Sequence, residues 1–105
     1  MNQSIKEKWV AALRSGKYQQ GAGYLRRDDK FCCLGVLCDV LGKRWYTEVD
    51  GSWSVRRGGV VNSGVLPYPL REELKIEYGA MNGLAKMNDR GKSFKVIANW
   101  IEKNL

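Results

Sequence analysis

Histidine is absent from all 105 residues. Its absence removes Ser-His and Cys-His nucleophilic pairs, imidazole general bases and every histidine-bearing metal site. Cysteine is scarce and odd in number. Cys32, Cys33 and Cys38 make a poor disulfide framework and fit a reducing cytosol. Zinc takes four ligands, so three thiols leave a site short, and adjacent Cys32 and Cys33 point to different sides of the backbone. There are two prolines, no Pro/Ser-rich stretch and no internal repeat, so residues 1–105 read as a single domain. The longest apolar run, Phe31 to Leu41, is broken by Asp39 and falls far short of the roughly 20 residues that span a bilayer. Met1 to Lys6 lacks the charged and apolar regions of an export leader. No close carboxylate pair stands out: Asp28-Asp29 has turn chemistry, and Glu72-Glu73 suits the first turn of a helix. These absences predict a cytoplasmic binding protein rather than an enzyme, with no membrane partner, cofactor or metal.

What the chain does have is core material: 44% hydrophobic residues, including four Trp, five Tyr and two Phe. Ser4 and Glu7 fit a capping box, and Ile5, Trp9, Ala12 and Leu13 then recur at helical spacing, with Gly16 as a stop. Residues 17–23 read as a polar, Gly-rich loop, Tyr24 to Arg26 as a short strand, and 27–30 as a turn. From Cys32 to Leu41 apolar residues cover most of a helix's circumference, which predicts a buried central helix ending at Gly42. There the cysteines have two readings. A reactive thiolate needs an activating base or the helix N-terminus that Cys32 and Cys33 adjoin. Small apolar packing residues are the stronger reading.

Asp50-Gly51, between Trp45–Val49 and Ser52–Val55, predicts a hairpin with a type I′ turn. Residues 56–64 read as a mobile basic loop, with a third short strand at Val60-Val61. Pro69 suits the first position of a helix running to Glu77, which Tyr78-Gly79 ends. Further helical turns follow from Asn82 to Met87, and then a turn over 88–92. Ser93 caps a last helix whose inner face is Phe94, Ile97, Ala98 and Ile101. The sum is a small α+β domain of about four helices with a hairpin near residues 45–55.

The net charge is +7. Residues 1–67 hold 11 basic and 6 acidic groups, so most of the excess lies in that half, and it favours anionic partners. Arg26, Arg27, Arg56 and Arg57, with Tyr18, Tyr24, Trp45 and Trp53 nearby in sequence, mix cations and rings as base-stacking sites do. On a strand only one of each arginine pair faces a given side. Gly91-Lys92-Ser93 resembles the end of a phosphate-binding loop, but Lys86 stands where that loop needs glycine. What remains there is Lys92 beside the free N–H groups of a Ser93-capped helix. The resulting candidate ligand-binding set is Tyr18, Gln20, Arg26, Arg57, Lys92 and Ser93. The expected ligand is a small nucleotide; a host protein, nucleic acid and a second copy of the chain are the other partners in view.

Three stretches carry a resemblance. They are Trp9–Leu13 with Gly16-Lys17-Tyr18-Gln19-Gln20-Gly21; Asp29-Lys30-Phe31-Cys32-Cys33-Leu34-Gly35-Val36-Leu37-Cys38-Asp39; and Met87-Asn88-Asp89-Arg90-Gly91-Lys92-Ser93-Phe94 with Ile97-Ala98. Together they resemble a family of small, uncharacterised proteins encoded by tailed phages and prophages. A bacterial family sharing Cys-x-Leu-Gly and a late Asn-Asp turn is similar more distantly. The resemblance implies an accessory protein acting in the cytoplasm of an infected bacterium. It would counter host defence by sequestering a nucleotide signal or by masking a host protein.

Overall fold

Six successive residues, Cys33 to Cys38, are buried, and the rest of the molecule is assembled around them. The computed structural model describes residues 1–105. The first half contains α1 (Gln3–Arg14), the two-residue strands β1 (Gln19–Gln20), β2 (Arg26–Arg27) and β3 (Lys30–Phe31), and the central helix α2 (Cys33–Val40). There follow β4 (Tyr46–Thr47), β5 (Ser52–Arg57), β6 (Val60–Asn62), α3 (Tyr68–Glu73), α4 (Tyr78–Asp89) and α5 (Phe94–Asn104). The class is α+β, with five helices rather than about four.

The sheet runs β1-β3-β2-β5-β4, antiparallel except for the parallel β1–β3 pair. β6 pairs with the far half of β5, opposite residues 55–57. Leu25 N–H donates to the Ser63 carbonyl at 2.7 Å, so β2 and β6 follow each other along one edge of β5. Helix α1 packs on α5 and α2, and α2 on α4. One cluster of 22 buried apolar residues results. Side chains such as Leu34, Leu37, Ile97 and Ile101 each contribute about 1.5–3 kcal/mol by leaving water. Trp9 is fully buried and its indole N–H donates to the Cys33 carbonyl at 2.9 Å, so the largest core side chain leaves no orphan donor. Close approach sets one residue of α2: a Cβ on Gly35 would lie 1.8 Å from the Leu25 carbonyl oxygen.

The last helix follows its pattern: Ser93 Oγ accepts from Val96 N–H, and Phe94, Ile97, Ala98 and Ile101 are buried. Elsewhere the structure corrects the expectations. Asn2, not Ser4, caps α1, its Oδ1 accepting from Ile5 N–H at 3.0 Å. Asparagine is as good a cap as serine, and starting there lengthens the helix. The Asp50-Gly51 turn is not type I′. Glu48 N–H pairs with the Ser52 carbonyl, Gly51 N–H returns to the Glu48 carbonyl, and only Gly51 has positive φ. That is a three-residue loop with a glycine bulge, held by Asp50 accepting from the Ser52 N–H and hydroxyl.

The turn with two left-handed residues sits instead at Gly58-Gly59 (φ 57° and 79°). It joins Arg57 to Val60 and makes the basic segment 56–64 largely ordered sheet. Helix α3 starts before Pro69 and stops at Glu73, whereas α4 continues unbroken through Gly79 and Gly83. Packing of Met81 and Leu84 outweighs the roughly 1 kcal/mol that the interior Gly83 costs.

Candidate functional site

The six expected ligand residues fall into three places. Tyr18 and Arg26 join an aromatic cluster. The Arg26 guanidinium carbon lies 4.6 Å from the Trp53 ring centre, 5.1 Å from Phe31 and 5.7 Å from Trp45. Its Nε donates to the Asp28 carbonyl, and its side chain is only 23% exposed. Tyr18 packs edge-on against Phe31, and its hydroxyl donates to Asp39 at 2.6 Å. Burial and then the Asp39 carboxylate push its pKa up to about 12. The Trp45 indole N–H donates to the other Asp39 oxygen. These groups are occupied with one another, so Arg26 acts as a stacked structural cation.

Gln20, Lys92 and Ser93 meet at a seam. The Gln20 amide donates to the Lys92 carbonyl at 2.7 Å and to Asn88 Oδ1 at 2.9 Å. Ser93 spends its hydroxyl on the cap of α5, while Lys92 is exposed. Arg57 is elsewhere, at the far end of β5, paired with Glu73 of α3. That pair holds Glu73 below the ordinary carboxylate value.

Two features lay beyond the expected set. The first is a clamp. Asn88, 2% exposed, donates to the Gly21 carbonyl at 2.7 Å while its Oδ1 accepts from Gln20 and from Cys33 N–H at the start of α2. Asp89 accepts from Gly23 N–H at 3.0 Å. The Asn88-Asp89 end of α4 thus fixes the Gly-rich loop 19–23 against the core and supplies the acceptor that α2's own N-cap residue, Cys32, does not provide.

The second is a pocket of about 210 Å³ beside that loop, lined by Gly21, Ala22, Tyr24, Arg27, Asp28 and Lys30. Arg27 and Lys30 are cross-strand partners, joined through Asp28-Asp29, so their side chains leave the same face. Like charges directly opposite repel, yet neither residue takes part in any of the molecule's four ion pairs. The Arg27 guanidinium lies 5.1 Å from the Tyr24 ring centre. The arrangement can receive an anion: two cations outside any ion pair and a ring against the Asp28 carboxylate, with Asp50 near enough to Arg27 that the arginine helps hold its pKa down, over a backbone the clamp has already set. Two larger cavities balance their charges. One, between α1 and α5, contains Lys6 and Glu7 and the Arg14–Glu102 ion pair; the other contains Lys75 and Glu77.

The three thiols are free and buried. Burial raises the Cys32 pKa from 9.0 to about 11 and lifts Cys33 and Cys38 well above the ordinary value. Folding raises these values, so the protonated thiols' contribution to stability is whole below about pH 9 and is lost as pH climbs through the folded values. Native protein at neutral pH should therefore react with a thiol reagent only as fast as it unfolds, all three sites labelling together in urea. Rapid labelling of one cysteine in the native state would overturn this packing role.

Residues 1–62 match the family described as Domain of unknown function (DUF8296). That segment ends at β6 and contains the whole Tyr24–Arg27–Lys30 pocket, but not Asn88 and Asp89. No curated protein matches the chain, and no solved structure does.

Proposed function

We propose, for a chain that belongs to the family described as a domain of unknown function (DUF8296), a binding role without catalysis: capture of a small anionic ligand, foremost a nucleotide, through its phosphate. The observation that carries this reading is the unpaired Arg27–Lys30 pair facing Tyr24 in a preset pocket. About 210 Å³ is below the usual range for a pocket that engulfs a ligand, so it holds the phosphate end and leaves the remainder outside. Binding without chemistry agrees with the lack of histidine and with thiols that stay protonated at neutral pH. The resemblance to tailed-phage proteins supports a setting in a host bacterium's cytoplasm, where sequestering a nucleotide signal would blunt defence.

The rival, an inhibitor docked on a host protein, calls for an exposed apolar surface. The large exposed apolar residues are Val49, Val61, Tyr68, Tyr78 and Val96, and none of them lines the pocket.

The test is a thermal-shift titration with mono-, di- and cyclic nucleotides at physiological salt. One compound should raise the melting temperature, by about 2.7 kcal/mol of linkage at one hundred times its Kd. Arg27→Ala should weaken binding tenfold or more while moving the free protein's melting temperature by less than about 4 °C. A flat response across the panel would end the proposal.

A further inference from the structure

We propose that the sheet face bearing this pocket carries a second subsite at Tyr46, Arg44 and Arg56, and that the ligand is a single-stranded oligonucleotide lying across both. The inference rests on the anion-capture reading and names its substrate class. The register puts the groups on one face. Arg27 pairs with Ser52, Tyr46 pairs with Ser54, and Arg56 follows two residues later on the same side of β5. The other face, with Phe31, Arg26 and Val55, turns toward the core.

The Tyr46 ring has the Arg56 guanidinium carbon 3.8 Å from its centre and that of Arg44 at 5.1 Å. This repeats the Tyr24–Arg27 unit, and Arg44 and Arg56, like Arg27 and Lys30, make no ion pair. Between the units lie Ser52 and Ser54, both fully buried, with hydroxyls already donated to Asp50 and Glu48. Those two carboxylates and Asp28 are the acidic groups of the face, three against the four cations Arg27, Lys30, Arg44 and Arg56, and Arg27 is near enough to Asp50 to help hold its pKa down.

Two steps across the sheet and two residues along it separate Arg27 from Tyr46 by roughly 12 Å between backbones. At about 3.4 Å per nucleotide along a stacked strand, that is three to four nucleotides, beyond the reach of one. Guanidinium planes fork onto phosphates and stack on bases, and the stacking contact needs base faces that a duplex hides.

The experiment measures, by fluorescence anisotropy and calorimetry, the affinities of a mononucleotide, a ten-nucleotide single strand and the matching duplex. The single strand should bind at least tenfold tighter than either. The slope of log affinity against log salt should be about −2 to −3, as expected for three to four phosphates. Tyr46→Ala and Arg56→Ser, each checked for an unchanged melting curve, should cost the strand tenfold or more and leave the mononucleotide untouched; Arg27→Ala should weaken both. A single strand no tighter than the mononucleotide, an equally tight duplex, or full strand affinity in both Tyr46→Ala and Arg56→Ser overturns the second subsite while leaving nucleotide capture standing. Absence of any binding removes both.

Discussion

Gly35→Ala is expected to destabilise the protein by about 3 kcal/mol or more, a fall of roughly 12 °C or more in melting temperature. The added Cβ would lie 1.8 Å from the Leu25 carbonyl oxygen and 2.7 Å from its carbon. Both are backbone atoms, so no rotamer change relieves the clash. Leu25 is pinned from two sides: its carbonyl accepts from Cys32 N–H and its own N–H donates to Ser63. Helix α2 is buried along Cys33–Cys38, so it has no empty side to move into. Overpacking typically costs about 1–3 kcal/mol where neighbours give way, and here they are main chain. Total stability for such domains is about 5–15 kcal/mol, so the loss is a large share.

Gly83→Ala is the matched control, because nothing lies within 4 Å of its added Cβ. In the middle of α4 it should stabilise by about 0.4–1 kcal/mol. Urea denaturation of the two variants reads both signs. A Gly35→Ala midpoint within error of the parent would show that α2 does not touch Leu25 as described.

The same residues show what a sequence discloses. Helix α2 was legible because an apolar run too short for a membrane and closed by glycine has little choice but burial. Helix α5 was legible because a Ser cap and a period of three to four residues agree. Gly58-Gly59 was passed over since a Gly-Gly pair among arginines looks like slack, when it is the dipeptide that a type I′ turn needs at both positions. The opposite error fell on α4, where Gly79 and Gly83 weaken local propensity that tertiary packing restores.

For the candidate site, the pairing of Arg27 with Lys30 could be read from the two-residue Asp28-Asp29 turn between them. The fate of Arg26 and Arg57 could not. Whether an arginine is free depends on partners such as Trp53, 27 residues on, or Glu73, 16 residues on. The clamp was least accessible of all, because the Gln20–Asn88 bond joins residues 68 apart and looks, locally, like an ordinary turn.

That clamp carries the second large expectation. Asn88→Ala should cost about 2–4 kcal/mol, since it leaves the Gly21 carbonyl and the Cys33 N–H without partners in a site 2% exposed. It should also weaken nucleotide binding although Asn88 does not line the pocket, because the loop carrying Gly21 and Ala22 is then no longer held.

Asn88→Asp separates the two halves of the bond set. The introduced carboxylate still accepts from Cys33 N–H, at a helix N-terminus that favours negative charge, but it faces the Gly21 carbonyl oxygen where a donor is needed. Protonation restores the donor, so its folded-state pKa should stand above the ordinary value of about 3.9. By linkage, the deficit relative to the parent should be smallest below that value and should grow as pH rises through the folded pKa. Urea midpoints of parent and variant between about pH 3 and pH 8 measure it. A deficit that does not change with pH would mean that the Asn88 amide is not the group holding the loop.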